Sequence, residues 1–210
     1  MNALDLFSGS HSFGKVAESL GYNVTSLDLT DATINIDILK WNYKQDFKEG
    51  HFELIWASCP CRTFSHCRRS WIGRKTKYFG DEIVTSKMLD DDMEKNGLPI
   101  LNKTIEIINY FKPKYFFIEN PRTGKMKDFI NDIPFYDVDY CMYSDWGYKK
   151  PTRIWTNREN IKLLKCNKKC GNMVGNRHIN NVGHGDLCRD NLTLKMKYRV
   201  PPKLIKQLIT

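Results

Sequence analysis

The sequence has no apolar run of about 18 residues or more, so nothing in it predicts a membrane span. Its opening residues, MNALDLFSG, lack the basic, apolar and small-residue regions of a signal peptide and read as a strand and turn. An intracellular, non-secreted protein is expected. Its seven cysteines fall at irregular intervals, which argues against a disulfide framework and leaves metal ligation, catalysis or burial. There is no internal repeat and no low-complexity tract.

What is present is enough for one domain with a sizeable core: 210 residues, 41% hydrophobic and 12% aromatic. The net charge of +9 favours a polyanionic partner. Short apolar runs alternate with amphipathic stretches through the first two-thirds. NALDLF, GYNVTSLDL, FELIWAS and KYFFIEN read as strands. Residues 99–112 read as a helix with Pro99 in its first turn and a stripe of Ile100, Leu101, Thr104, Ile105, Ile108 and Phe111. Strands alternating with helices predict a mostly parallel α/β sheet, whose ligands bind beyond the carboxyl ends of the strands. The glycines, acids and cysteines of interest all fall at those ends.

Three constellations carry chemistry. The turn DLFSGSHSFG offers Gly9 for a tight bend before a helix N-terminus, and Asp28 at the end of the second strand suits the two hydroxyls of a ribose. Asp37 in NIDIL is a candidate for the adenine amine or for a turn. In WASCPCRTFS, Cys61 lies beside Arg62 at the start of a basic stretch and is the better candidate for a reactive thiol, whereas Cys59 is expected to pack in the core. In IENPRTG, Glu119 leaves an apolar strand, where desolvation is expected to favour its proton-bearing form, and Asn120 and Pro121 make a stiff turn. The segment 62–98 contains RTFSHCRRSWIGRKTKYFGDE, in which six basic residues alternate with Phe, Trp and Tyr. It reads as a long loop for phosphate contact and base stacking or insertion.

DLFSGSHSFG, SCPCRTFS and IENP, in this order and at these distances, resemble the cytosine (carbon 5) DNA methyltransferases. SWIGR, IENPRTGKMKDF and DYCMYSDWGYKKPTRIWTN resemble most the compact members from large DNA viruses of the iridovirus type. The resemblance covers residues 2–157 well and the tail loosely. It implies a Rossmann-like, S-adenosylmethionine-dependent methyltransferase fold, with a mostly parallel seven-stranded sheet and helices on both faces. It also implies S-adenosylmethionine as methyl donor, double-stranded DNA as partner and a flipped cytosine as acceptor. If viral, the protein would work in the nucleus or cytoplasm of the host cell. Carried over by position, Cys61 is the nucleophile, Glu119 the acid at ring nitrogen 3 with Asn120 beside it, and Arg153 the residue that orients the base. Phe7, Gly9, Asp28, Asp37 and Pro60 would form the cofactor site, and loop 62–98 the closing element. The chain departs from the family in having Pro121 for the usual Val and KKPTR for Gln-x-Arg-x-Arg. It also lacks a large recognition region and a clear Gly-Asn motif. Two alternatives remain open: a DNA-binding protein that keeps the fold with impaired turnover, and an RNA cytosine methyltransferase.

The division expected is a catalytic domain over 1–157, a reduced recognition segment over 158–198 and a closing C-terminal helix over 199–210. The middle segment is rich in Asn and Gly and cannot build a core alone. Its Cys166, Cys170, His178 and Cys188, with His184 as an alternative ligand, are compatible with a structural zinc ion. Nothing demands a dimer, and a monomer is expected.

Overall fold

The computed structural model describes residues 1–180 and 193–210. The chain begins β1 (Asn2–Leu6), α1 (Ser12–Ser19), β2 (Asn23–Asp28), β3 (Ile34–Asn35), α2 (Tyr43–Asp46) and β4 (Leu54–Ala57). An insertion follows, with a small hairpin of β5 (Lys75–Thr76) and β6 (Gly80–Ile83), then α3 (Ser86–Asp92). The long helix α4 (Leu98–Phe111) leads to β7 (Tyr115–Pro121), β8 (Phe135–Asp139) and β9 (Pro151–Thr156). The tail holds β10 (Met173–Val174), β11 (Arg177–His178), α5 (Leu194–Tyr198) and α6 (Pro202–Ile209).

Seven strands form one sheet in the order β3-β2-β1-β4-β7-β9-β8. Only β9 runs against its neighbours, β7 and β8. The sheet is therefore the mostly parallel one that the alternation of apolar runs predicts. Successive strands step outward in opposite directions from β1 and β4, which lie side by side. That pair is the topological switch point, where the chain leaves a crevice beyond the strand ends. Phe7–Gly9 follow β1 and Ser58–Cys61 follow β4, so both turns flank the same crevice.

Both faces of the sheet are covered, which explains why its strands read as continuous apolar runs. One face buries Leu4, Leu6, Ile55, Ile118 and Trp155 under α4, whose Leu101, Ile107, Ile108 and Phe111 are buried. The other buries Trp56, Phe117 and Ile154 with Phe13 and Ala17 of α1. Trp56 stacks on Phe13 at 5.4 Å and leans on Phe117 at 5.7 Å, so one indole ties a helix to two strands. The helix α6 closes this face through Leu204, Ile205 and Leu208, each worth about 1.5–3 kcal/mol on burial. Among the described residues, no helix is long and apolar enough to cross a membrane.

The helix α4 starts one residue earlier than its apolar stripe predicts and continues from α3 through a wide turn at Met93–Gly97. Gly97 is required there, because a Cβ would collide with the Thr63 side chain. This close approach sets the residues just after Cys61 against the base of the helix.

The insertion is more folded than its composition predicts. Arg68 is 3% exposed and pairs with buried Asp92 at 2.5 Å. Its guanidinium lies 5.2–5.5 Å from the rings of Trp71, Tyr78 and Phe79, and the Tyr78 hydroxyl donates to Asp92 at 3.0 Å. Asn96 also donates to Asp92, at 2.6 Å. These aromatics are thus engaged around a buried cation. The outward face carries Arg69, Arg74, Lys75 and Lys77, with Ile72 and Ile83 exposed among them.

Candidate active site

Four strand ends meet at one rim. After β1 the chain bends sharply, with Phe7 at φ 62°, Gly9 at φ 42° and His11 at φ 55°. Left-handed backbone is costly for residues with a Cβ, so this turn is a strained feature at a prospective binding site. Asp28 at the tip of β2 holds it: its Oδ2 accepts from Gly9 N at 2.9 Å and its Oδ1 from Leu29 N at 2.7 Å. Phe7 N and Ser8 N both donate to Leu27 O, extending the sheet into the turn. Asp37 caps the short helical turn Ile38–Lys40 by accepting from Leu39 N at 3.0 Å. The structural option for Asp37 is thus realised, and its other carboxylate oxygen remains available.

Cys59 and Cys61 face different surroundings. Cys59 is 4% exposed, touches Thr104 Oγ1 at 3.7 Å, and is pushed up to about 12 by burial. It packs in the core. Cys61 is half-buried at the rim. Burial pushes its thiol up and the Glu119 carboxylate adds to this, while Lys150 and, more weakly, Arg62 pull it back.

Glu119 lies near the end of β7, 6% exposed, and accepts from the Tyr140 hydroxyl at 2.8 Å. Burial and the Glu119 charge push the Tyr140 phenol well above its ordinary range, so it stays a donor. Lys150 Nζ is 3.9 Å from Glu119 Oε1 and sits 4.7 Å over the Tyr140 ring. Its backbone is left-handed at φ 37°, a conformation a lysine adopts only when its surroundings impose it. Asn120, fully buried, donates from Nδ2 to Cys59 O at 2.9 Å. That bond ties the end of β7 to the Cys59–Cys61 turn, so the carboxylate and the thiol share one scaffold.

Arg153 occupies a different position. In the β7–β9 register Glu119 faces Ile154 and Asn120 faces Arg153, and alternation sends Arg153 to the opposite face from Glu119. There it binds Asp137 through Nε at 2.8 Å and a terminal nitrogen at 3.2 Å, with its guanidinium 3.6 Å from the Phe135 centroid. Burial opposes ionisation of Asp137, but the Arg153 hydrogen bonds and charge hold its carboxyl low. The cation beside Glu119 is therefore Lys150.

Sequence reasoning also passed over Ser8 and Tyr140. Ser8 Oγ is buried with no partner in the β1 turn, as is Asn120 Oδ1 at the β7 tip. Orphaned buried acceptors and hydroxyls are rare, and two of them at one rim fit a polar ligand in the crevice. Only the sharp turn itself signalled Ser8 in the sequence. Tyr198 of α5 also reaches this rim, close enough for the charge of Cys61 to bear on its phenol.

In the tail, Cys166, Cys170 and His178 come together, and Cys141, from the turn after β8, is the fourth donor beside them. Cys188 and His184 lie outside the described residues.

The charge balance at Cys61 is open to direct test. Lys150→Met should raise the pH at which Cys61 is alkylated by iodoacetamide, because the variant loses a cation that favours the thiolate. Site-resolved mass spectrometry separates Cys61 from exposed Cys67. An unchanged alkylation profile would show that Lys150 does not act on the thiol.

No protein-family model matches the chain. A curated relative from Frog virus 3 (isolate Goorha), named "Probable DNA (cytosine-5)-methyltransferase", is 44% identical over 218 aligned residues, covering 100% of this chain and 99% of the relative. Among solved structures, the S. pombe Dnmt2 methyltransferase is 12% identical, covering 78% of this chain and 51% of its own, with a TM-score of 0.43. A mutant of Spodoptera frugiperda DNMT2 is 12% identical, covering 80% and 53%, with a TM-score of 0.47. The chain spans about half the length of these solved structures. At 44% identity to the viral relative over an alignment that covers both chains, the chain belongs to the DNA (cytosine-5)-methyltransferase family.

Proposed function

We propose that this chain methylates carbon 5 of a cytosine turned out of double-stranded DNA, with Cys61 as nucleophile and Glu119 as acid. The observation that carries the reading is the joining of Cys61 and Glu119 at the switch-point rim through the bond from Asn120 to Cys59 O. The relative's name and the exposed basic face of the insertion support DNA as the polymer.

S-adenosylmethionine, when bound, supplies an electrophilic methyl group on a sulfonium. The residues present fit it: the left-handed turn at Phe7–Gly9, the orphaned Ser8 hydroxyl and the half-buried Asp28 carboxylate border one crevice. Phe7, Gly9 and Asp28 would hold it, with Asp37 toward the adenine and Pro60 fixing the wall shared with the base.

A cytosine carbon 5 is shielded inside the duplex, so the base must leave the stack to meet Cys61. The Cys61 thiolate forms a bond to ring carbon 6, and the displaced electron pair moves into the ring toward nitrogen 3. There Glu119 donates a proton or hydrogen bond to the developing charge, while Tyr140 and Lys150 hold its carboxyl in place. Carbon 5, now nucleophilic, would bond to the methyl carbon as the methyl–sulfur bond breaks, the sulfur keeping that electron pair as a neutral thioether. Loss of the carbon 5 proton to water then restores the ring and expels the Cys61 thiolate, and nitrogen 3 returns its proton to Glu119.

The test is incubation with methyl-labelled S-adenosylmethionine and either cytosine-containing duplex DNA or RNA of matched sequence. Label at carbon 5 of cytosine in DNA is expected. Label on RNA alone contradicts the substrate, and label on neither polymer contradicts the activity.

A further inference from the structure

We propose that Cys141, Cys166, Cys170 and His178 bind one zinc ion that fastens the tail to the active-site wall. The four donor atoms lie within 4.8 Å of one another. His178 Nε2 is 3.5 Å from Cys166 Sγ and 3.4 Å from Cys170 Sγ. A tetrahedral zinc with Zn–S of about 2.3 Å and Zn–N of about 2.0 Å holds sulfur and nitrogen about 3.5 Å apart. Three thiols with one imidazole, in the absence of any carboxylate in the cluster, select zinc over the hard cations. The backbone N–H of Lys168 also points at Cys166 Sγ, at 3.3 Å, as a donor to a thiolate would.

The surrounding segment needs such a fastening. Within 158–180 only Asn172 is buried, so hydrophobic burial contributes little to its fold. Asn172 spans three places, donating to Cys141 O and Ser144 O and accepting from Gly147 N. Cys166 N donates to Asp139 at 2.7 Å. A metal joining Cys141 to the tail would supply the missing folding free energy.

The position of Cys141 gives the ion a second consequence. The adjacent residue, Tyr140, donates to Glu119, and the backbone N–H groups of Tyr140 and Cys141 point to the carbonyls of Lys150 and Lys149. The ligand turn therefore carries or abuts both groups that hold Glu119, and the ion braces them. This part rests on Glu119 being the acid proposed above. Zinc content is measured without turnover, so the two readings fail separately.

The experiment is native mass spectrometry with elemental analysis on the full-length chain, expressed with zinc in the medium and desalted. One zinc per chain is expected in the wild type and in Cys188→Ser, with at least a tenfold loss of bound zinc in Cys141→Ser and Cys170→Ser. Wild type that takes up no zinc, or Cys141→Ser that retains it undiminished, overturns the site. Because a ligand substitution can unfold the segment, cobalt exchange into the unmutated protein is the second readout. Intense visible bands of tetrahedral thiolate coordination are expected, and the pale spectrum of octahedral cobalt overturns the proposal. Chelated protein should lose turnover while keeping cofactor affinity; unchanged turnover overturns the bracing role.

Discussion

Replacing Cys61 by serine should lower methyl transfer by about three orders of magnitude or more while leaving the protein folded and able to bind cofactor. The substitution is nearly isosteric at a half-buried rim position, so packing is little disturbed. What changes is the nucleophile. Lys150 and Arg62 partly offset the burial that opposes the thiolate, but no such offset brings a serine hydroxyl to its alkoxide near neutral pH. Glu119→Gln should cost less, about 10²–10⁴-fold, because the amide still accepts from Tyr140 and loses only the transferable proton. Cofactor affinity, measured by calorimetry, should stay within a few-fold in both variants, since the turn after β1 and the tip of β2 are untouched. Cys59→Ser is the control: that thiol is buried against Thr104, so its replacement should affect stability more than rate. A Cys61→Ser enzyme with more than a tenth of wild-type turnover would remove the covalent step from the account.

The second large effect concerns stability and comes from a residue outside the chemistry. Asp5 is the penultimate residue of β1, 2% exposed, with Oδ2 unpartnered. Burial pushes its carboxyl from an ordinary 3.8 up to about 8; the Gly14 backbone pulls it down, and the charges of Asp28 and Glu18 add to the rise. Below the unfolded value both states carry the proton and the group is neutral to folding. Between pH 4 and 8 the unfolded chain releases the proton and the native chain keeps it, so stability falls as pH rises. The slope is about 1.4 kcal/mol per pH unit, which gives several kcal/mol across the window. Asp5→Asn removes the titration. Its stability relative to wild type should therefore improve steadily from pH 5 to pH 8, read from urea unfolding at each pH. A difference that is flat with pH would show that Asp5 is already ionised in the native protein.

The parts of the site that depend on strand order were legible in the sequence. Parallel strands put their carboxyl ends on one rim, so Gly9, Asp28, Cys61 and Glu119 could be assigned to a common edge from alternation alone. The parts that depend on register were not. Whether Arg153 or Lys150 stands beside Glu119 is decided by which residue of β9 faces Glu119, and a shift of one position exchanges the faces. Nothing within KKPTR reveals that pairing. Cys141 was missed for a related reason: local spacing groups Cys166 with Cys170, whereas the fourth donor arrives from the other side of β9. The insertion is legible from composition only in part. Asp92 draws Arg68 inward with three rings around it, while Arg69, Arg74, Lys75 and Lys77 keep the exposed basic face that the composition suggests. Asp5 was hidden because a strand covered on both faces reads as apolar whichever side a single acid takes.

The central claim, that Cys61 attacks a cytosine held by this site, is tested most directly with duplex DNA carrying 5-fluorocytosine at the target position. Fluorine cannot leave as the proton does, so the enzyme should stop after methyl transfer with the base still bonded to the thiol. The account predicts a denaturation-resistant protein–DNA adduct that requires S-adenosylmethionine, maps to the peptide containing Cys61 and is absent in Cys61→Ser. An adduct that persists in Cys61→Ser, or methyl transfer to cytosine without any adduct on the fluorinated duplex, would contradict it.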